Sequence, residues 1–215
     1  MTLLTDPTAD LAELDAEMSH LALSTEGQDL LFREAHTSYA YTDEPVTAEQ
    51  FRDIYDLAKW APTSMNSQPL RVVLVQSAEA RDRLVPLMSG NNRDRTEAAP
   101  LVAILATDYD FHDEFHRTFP VFPGARDAFA ADESARQDAA TLNAGLQVGY
   151  FILGVRAAGF AAGPMTGFDA AAVSREFFPD GRHQALVVVT IGRPAVDAYR
   201  PRQPRLDFED VVSTV

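Results

Sequence analysis

S-A-R-Q-D-A-A-T-L-N-A-G-L-Q-V-G-Y-F-I-L-G-V-R-A-A, residues 134–158, is the stretch on which the reading of the fold turns. It is the longest helical pattern in the chain, and Gly159 ends it. From Ala139 onward it is apolar nearly all round: Ala140, Leu142, Ala144, Leu146, Val148, Tyr150, Phe151, Ile152, Leu153 and Val155. A helix without a polar face has to be covered on every side. A chain of 215 residues is one compact domain or one half of an interlocked pair. The helix therefore points to the core of a homodimer.

The neighbouring elements set the fold class. Ala185 to Ile191 and Leu101 to Ala106 are apolar runs that read as buried strands, and Arg71 to Gln76 as a third. Thr47 with Gln50 fits a capping box that opens a helix through about Trp60, with Phe51, Ile54, Leu57 and Ala58 on its inner face and Trp60 in the core. Glu79 to Met88 and Ala170 to Phe177 read as further helices, the first followed by a break at Gly90-Asn91-Asn92. Tyr109 to Asp132 is irregular and aromatic. Leu11, Leu14, Met18 and Leu21 recur at helical spacing, so residues 8–23 read as an amphipathic helix, and Asp29 to Ala35 as a second, short one. Helices and strands without regular βαβ units predict an α+β fold. Residues 1–25 read as an N-terminal extension and 26–215 as a single domain.

Composition removes several function classes. Net charge is −14, from 32 acidic and 18 basic residues, which argues against nucleic acid or an anionic membrane as partner. There is no Cys, so there is no thiolate chemistry and no Cys-bound metal. The N-terminus lacks the basic start and apolar run of a secretory signal, so the default expectation is a soluble cytoplasmic protein. His112 and His116 are four apart, but Asp113 stands where a metalloprotease helix needs Glu and no third ligand is evident; no metal is expected. No G-x-G-x-x-G follows a strand and there is no P-loop.

Four segments carry groups suited to a phosphorylated, flat cofactor. A-H-T-S-Y-A-Y at 35–41 gathers short hydroxyls and a His, though it also reads as an ordinary turn. K-W-A-P-T-S-M-N-S-Q-P at 59–69 frames polar residues with two prolines between a helix and a strand. G-P-M-T-G-F-D at 163–169 has a glycine that lets a backbone N–H approach a ring, with Asp169 placed to cap the next helix. R-P-R-Q-P-R-L at 200–206 places three Arg close together, and like charges repel unless an anion lies between them; a solvated tail is the plainer alternative.

Taken together and in this order, the four segments resemble the nitroreductase family of FMN enzymes, from about Leu31 to Phe208. The most specific element is A-P-T-S-M-N-S-Q-P at 61–69, followed by G-P-M-T-G-F at 163–168. A subgroup that includes malonic semialdehyde reductases is the most similar. The resemblance implies a nitroreductase-like α+β fold, with a central, mostly antiparallel sheet flanked by helices, and tightly bound FMN in an interlocked homodimer. It implies NAD(P)H as a transient donor and a ping-pong hydride transfer through flavin N5 to a small-molecule acceptor: a nitroaromatic, a quinone or a small aldehyde. His36, Thr37 and Ser38 would touch the phosphate and ribityl chain. Thr63, Ser64 and Asn66 would reach the flavin from the partner subunit, with Gln68 close by. Asn92 and Arg95 would meet the ribityl chain and the N1–C2 edge. Met165, Thr166 and Gly167 would run along the ring, and Arg202 and Arg205 would close on the phosphate. No side-chain nucleophile is implied, since the flavin carries the chemistry. Family members often carry Lys or Arg where this chain has Tyr39, and Glu where it has Thr166. A carboxylate-bearing acceptor would need a cation, for which Arg117 or Arg126 is the candidate. The alternatives are a flavin-binding protein without turnover and a structural dimerisation domain.

Overall fold

The computed structural model describes residues 21–215. It divides into two compact units that meet at Ala35 and His36. In the first, Ser24 caps a helical turn at Thr25–Gln28 by accepting from the Gly27 N–H (3.2 Å), and a π-turn follows at Asp29–Arg33. The amphipathic helix expected at 8–23 lies outside the described residues except for Leu21 to Leu23, which are not helical.

The second unit is built on a four-stranded antiparallel sheet: β1 (Leu70–Val75), β2 (Leu101–Asp108), β3 (Ala161–Met165) and β4 (His183–Gly192), in the order β1-β2-β4-β3. The helices are α1 (Ala48–Ala58), α2 (Ala78–Leu84), α3 (Asn92–Ala98), α4 (Ala125–Ala131), α5 (Glu133–Ala157) and α6 (Ala170–Phe177), beside shorter helical turns.

Every residue of β2 is buried, and its side chains alternate between two cores. Leu101, Ala103 and Leu105 join Val189 and Ile191 against Ile54 and Ala58 of α1 and Phe151 and Val155 of α5. Val102, Ile104 and Ala106 join Val75 and Val188 against Leu84, Met88 and Val173 on the opposite face. Helices on both faces explain why β2 reads as a continuous apolar run although its neighbours are antiparallel.

The capping box at Thr47 forms in full: Thr47 Oγ1 accepts from the Gln50 N–H (3.2 Å), and Gln50 Oε1 from the Thr47 N–H (2.8 Å). Four expectations need correction. The Gly90-Asn91-Asn92 break is followed at once by α3, since Gly90 turns the chain at φ 50° and helix starts again at Asn92. Ala161–Met165 is a strand rather than part of a turn; Pro164 is tolerated because β3 is an edge. Trp60 is 75% exposed, beyond the last turn of α1, with the Lys59 ammonium 5.6 Å from its ring. Leu57 also faces outward, while Phe51, Ile54 and Ala58 pack on the core from the inner stripe of α1.

On α5, Asn143, Gln147, Phe151 and Val155 line the buried side. Leu142, Leu146 and Tyr150, each one turn after the last, stay 68%, 47% and 42% exposed. Among the described residues no helix is long and apolar enough to cross a membrane.

Candidate functional site

Residues 36–42 run antiparallel to 193–200. Tyr39 N–H donates to Ala198 O (2.9 Å), Thr42 N–H to Arg193 O (2.9 Å) and Ala195 N–H to Ala40 O (3.3 Å), with a bridge between Tyr41 and Pro194. This pairing brings the first and the last of the four sequence segments side by side. His36 packs on Tyr199, ring centroids 5.2 Å apart. The Tyr39 ring carries two guanidinium groups, Arg95 at 4.0 Å and Arg200 at 4.3 Å from its centroid. Arg156, near the end of α5, has its pKa pushed down by burial and by the charge of Arg202, and is drawn the other way by Tyr199. Positive charge from α3, α5 and the C-terminal segment therefore gathers around two tyrosines.

Segment 36–42 is fixed from below by β3 and β4. Ser38 N–H donates to Ala162 O (3.3 Å), and the Ser38 hydroxyl, fully buried, donates to Ala40 O (2.8 Å). The Tyr41 hydroxyl sits between Thr190 Oγ1 (2.8 Å) and Thr190 O (3.1 Å), and burial pushes its pKa up to about 12. Thr37 is half-buried.

Met165 ends β3 in the core, and the chain then turns out through an exposed Thr166 and a half-buried Gly167. Gly167 O accepts from Ser89 N–H (2.9 Å) and from Asn92 Nδ2 (3.0 Å). A Cβ on Gly167 would stand 2.7 Å from Asn92 Nδ2, so only glycine keeps this arrangement. Arg95 lies one turn along α3 from Asn92, which ties the turn to the cationic end of the site. Asp169 caps α6 by accepting from Ala172 N–H (2.9 Å).

The loop at 61–69 is held elsewhere. Met65, Asn66 and Gln68 adopt φ of 53°, 50° and 45°. For residues with a Cβ this left-handed backbone costs about 1–3 kcal/mol each, and such strain collects at ligand sites. Local bonds hold the shape. Thr63 Oγ1 accepts from Gln68 N–H (3.2 Å), Asn66 Oδ1 from Gln68 Nε2 (2.9 Å), and Thr118 O from Asn66 Nδ2 (2.7 Å). Two amide side chains of α5 grip its ends: Asn143 Oδ1 accepts from Ser64 N–H (2.7 Å) and Gln147 Oε1 from Leu70 N–H (2.9 Å). Met65 also packs on the aromatic cluster of Phe111, Phe115, Phe119 and Phe129. Behind the loop lies a cavity of about 390 Å³, lined by Phe51, Tyr55, Gln68, Arg71, Gln147 and Phe151 among others. Arg71 joins Arg182 on the buried Asp108 carboxylate, at 2.7 Å and 2.8 Å.

Of the residues singled out in the sequence, the fold links His36 and Arg95 to the cationic cluster, and Arg202 to it through Arg156. Asn92 and Gly167 touch directly. Thr63, Asn66 and Gln68 bond to one another, and Ser64 is held by α5. The loop enters β1 and the Gly167 turn leaves β3, at opposite edges of the sheet, about 14 Å apart at three strand spacings. Arg205 is exposed and donates to Gln203 O (2.8 Å) and Pro204 O (3.2 Å) of its own segment. Arg117 pairs with Glu114 (3.1 Å), and Arg126 with Asp113 (3.0 Å) and Asp127 (3.3 Å). His112 is buried beside Phe111 with burial lowering its pKa, and the His116 ring nitrogen Nδ1 lies 2.9 Å from Asp113 O. The sequence reading passed over Asn143, Gln147, Arg156 and Tyr199, and counted Arg200 among the three arginines of 200–206 without giving it a role of its own. The legible signal was a pair of amides four residues apart on an otherwise apolar helix.

The family model described as "Nitroreductase family" matches residues 32–193. A relative from Streptomyces griseus, provisionally named NADH dehydrogenase/NAD(P)H nitroreductase, is 57% identical over 91% of this chain and 99% of its own length. Two solved structures share the fold. A protein of Exiguobacterium sibiricum, provisionally described as a nitroreductase and solved with FMN, superposes with a TM-score of 0.77 at 23% identity, covering 89% of this chain and 98% of the other. The NADPH:FMN oxidoreductase of Vibrio harveyi, solved with NAD+, gives 0.71 at 20% identity, covering 87% and 76%. With the family model matching most of the chain and a relative this similar along its whole length, the chain belongs to the nitroreductase family.

Proposed function

We propose that this protein is an FMN-dependent NAD(P)H oxidoreductase that works as a homodimer. The observation that carries the proposal is the stacking of Arg95 and Arg200 on Tyr39, with Arg156 near enough to feel the charges of Tyr199 and Arg202, in a chain of net charge −14. A phosphate dianion is the partner that such a cluster suits. The missing Cβ at Gly167 makes room for Asn92, whose amide donates to the Gly167 carbonyl (3.0 Å), so amide, backbone and guanidinium groups lie along one side of the site, a donor set that fits FMN.

When bound, FMN supplies the redox chemistry, taking a hydride from NAD(P)H and giving it to an acceptor in a ping-pong cycle. His36, Thr37, Arg200 and Arg202 would bind the phosphate end. Ser38 shapes the segment through its buried hydroxyl. Asn92 and Arg95 orient the ribityl chain and the N1–C2 edge, and Met165, Thr166 and Gly167 run along the ring. Thr63, Ser64, Asn66 and Gln68 serve the site of the partner subunit, which the separation of the two sheet edges supports.

The acceptor we favour is a nitroaromatic or a quinone. A small aldehyde such as malonic semialdehyde also belongs to this class. Its carboxylate would have to displace a carboxylate already paired with Arg117 or Arg126.

The test is the visible spectrum of the purified protein, followed by rapid mixing with NADPH or NADH and a panel of acceptors. The expected result is a flavin spectrum that bleaches on mixing and recovers when acceptor is added. Flavin that never bleaches would point to a carrier. Colourless protein that gains no thermal stability from added FMN would point to a structural domain.

A further inference from the structure

Half of the 18 Lys and Arg side chains of this chain sit against carboxylates. Arg33, Lys59, Arg71, Arg83, Arg182 and Arg193 each have an acidic partner within 4 Å. With 32 acidic residues against 18 basic ones, that is the expected state. Arg95 and Arg200 differ. Among the described residues neither has a carboxylate partner; both rest on the ring of Tyr39. Two guanidinium groups on one ring repel each other, and the quadrupole of the ring offsets that repulsion only in part. The arrangement is complete when an anion lies beside it. Tyr39 itself is fixed, because its N–H donates to Ala198 O (2.9 Å), two residues before Arg200.

We propose that Tyr39, which carries Arg95 and Arg200 on its ring, is a positioning residue that holds Arg200 towards a phosphate monoester, and that Arg200 is a principal cation for that group. The proposal rests on the FMN reading above. Arginine suits the task because its planar group stacks through a face and still presents donors along its edge. A lysine in place of Arg200 would keep the charge and lose both the stacking and the fork.

Paired affinities for FMN and riboflavin, read by flavin fluorescence on apoprotein, test this directly. The two ligands differ only in the phosphate. Arg200→Ala is expected to weaken FMN binding by roughly ten- to a hundredfold, the scale of one lost charge-assisted bond, and to leave riboflavin binding unchanged. Tyr39→Leu should act in the same direction, while Tyr39→Phe, which keeps the ring, should retain most of the FMN affinity. Thermal midpoints of the apoproteins serve as the check on folding. An equal loss for both flavins in Arg200→Ala, or no loss for either, would overturn the phosphate role. Tyr39→Phe as weak as Tyr39→Leu would overturn the stacking role. Wild-type protein that binds neither flavin would remove this proposal together with the reading beneath it, an outcome distinct from the other two.

Discussion

At the scale of single residues, the site depends on atoms that are absent as much as on those present. Gly163 in β3 is the sharpest case. A Cβ there would collide with Thr190 Oγ1, stand 2.9 Å from the Tyr41 hydroxyl and come within 3.1 Å of Ser38 O. Two of these belong to the buried bond that pins segment 36–42 to the sheet, and the third is backbone of that segment. None is the loose end of a flexible side chain, so the strand or the segment has to shift. Gly163→Ala is therefore expected to cost about 1–3 kcal/mol, the usual range for overpacking. The urea midpoint should fall accordingly. Because the shift displaces the backbone beneath His36 and Tyr39, FMN affinity should fall with it. An unaltered midpoint would mean that the contact relaxes without strain.

At the scale of elements, α5 is both scaffold and clamp. Asn143 and Gln147 are buried on one face, four residues apart, and each hands an oxygen to a backbone N–H of the 63–70 region. Replacing Asn143 by Leu removes the partner of the Ser64 N–H in a part-buried bond, which costs about 1 kcal/mol, the low end of the range for a donor left unsatisfied. That is comparable to the strain stored at one of the left-handed residues of the loop. Asn143→Leu should raise amide-hydrogen exchange across residues 61–70, read by mass spectrometry. Gln147→Leu should loosen the same peptide from its far end. Exchange identical to wild type in both would show that the local bonds of Thr63, Asn66 and Gln68 suffice.

The elements also mark what could be read from the chain beforehand. α5, the capping box at Thr47 and the buried β2 are written in short-range patterns, and all three are where the sequence places them. β3 was hidden because Gly163-Pro164 reads as a turn, and only its place at the sheet edge admits a proline. α3 is only 7 residues long and starts inside what looks like a break. At the site, glycine and hydroxyl segments were visible one by one. The stacking of Arg95 and Arg200 on Tyr39 depends on pairing 36–42 with 193–200, which no local pattern encodes.

At the scale of the whole molecule, the helix that opened the reading is left with an uncovered stripe. Leu142, Leu146 and Tyr150 face outward, as do Leu206, Phe208 and Val211 in the C-terminal segment. Apolar surface arranged in a continuous row marks an association site. Two chains of charge −14 repel at long range, so association has to come from apolar burial at close range. On the proposed function, association and cofactor binding are one equilibrium, because the 63–68 loop and the Gly167 turn, which belong to opposite sheet edges of the same chain, would serve one flavin only across two copies. Leu146→Asp is expected to shift the protein to monomer in sedimentation at micromolar concentration. It should lose FMN to the same extent, although residue 146 touches no part of the proposed flavin site. Excess FMN should pull the variant back towards dimer, since a ligand that binds only the associated form stabilises it by mass action. A monomeric variant that kept wild-type FMN affinity would confine the site to one chain and overturn the shared arrangement.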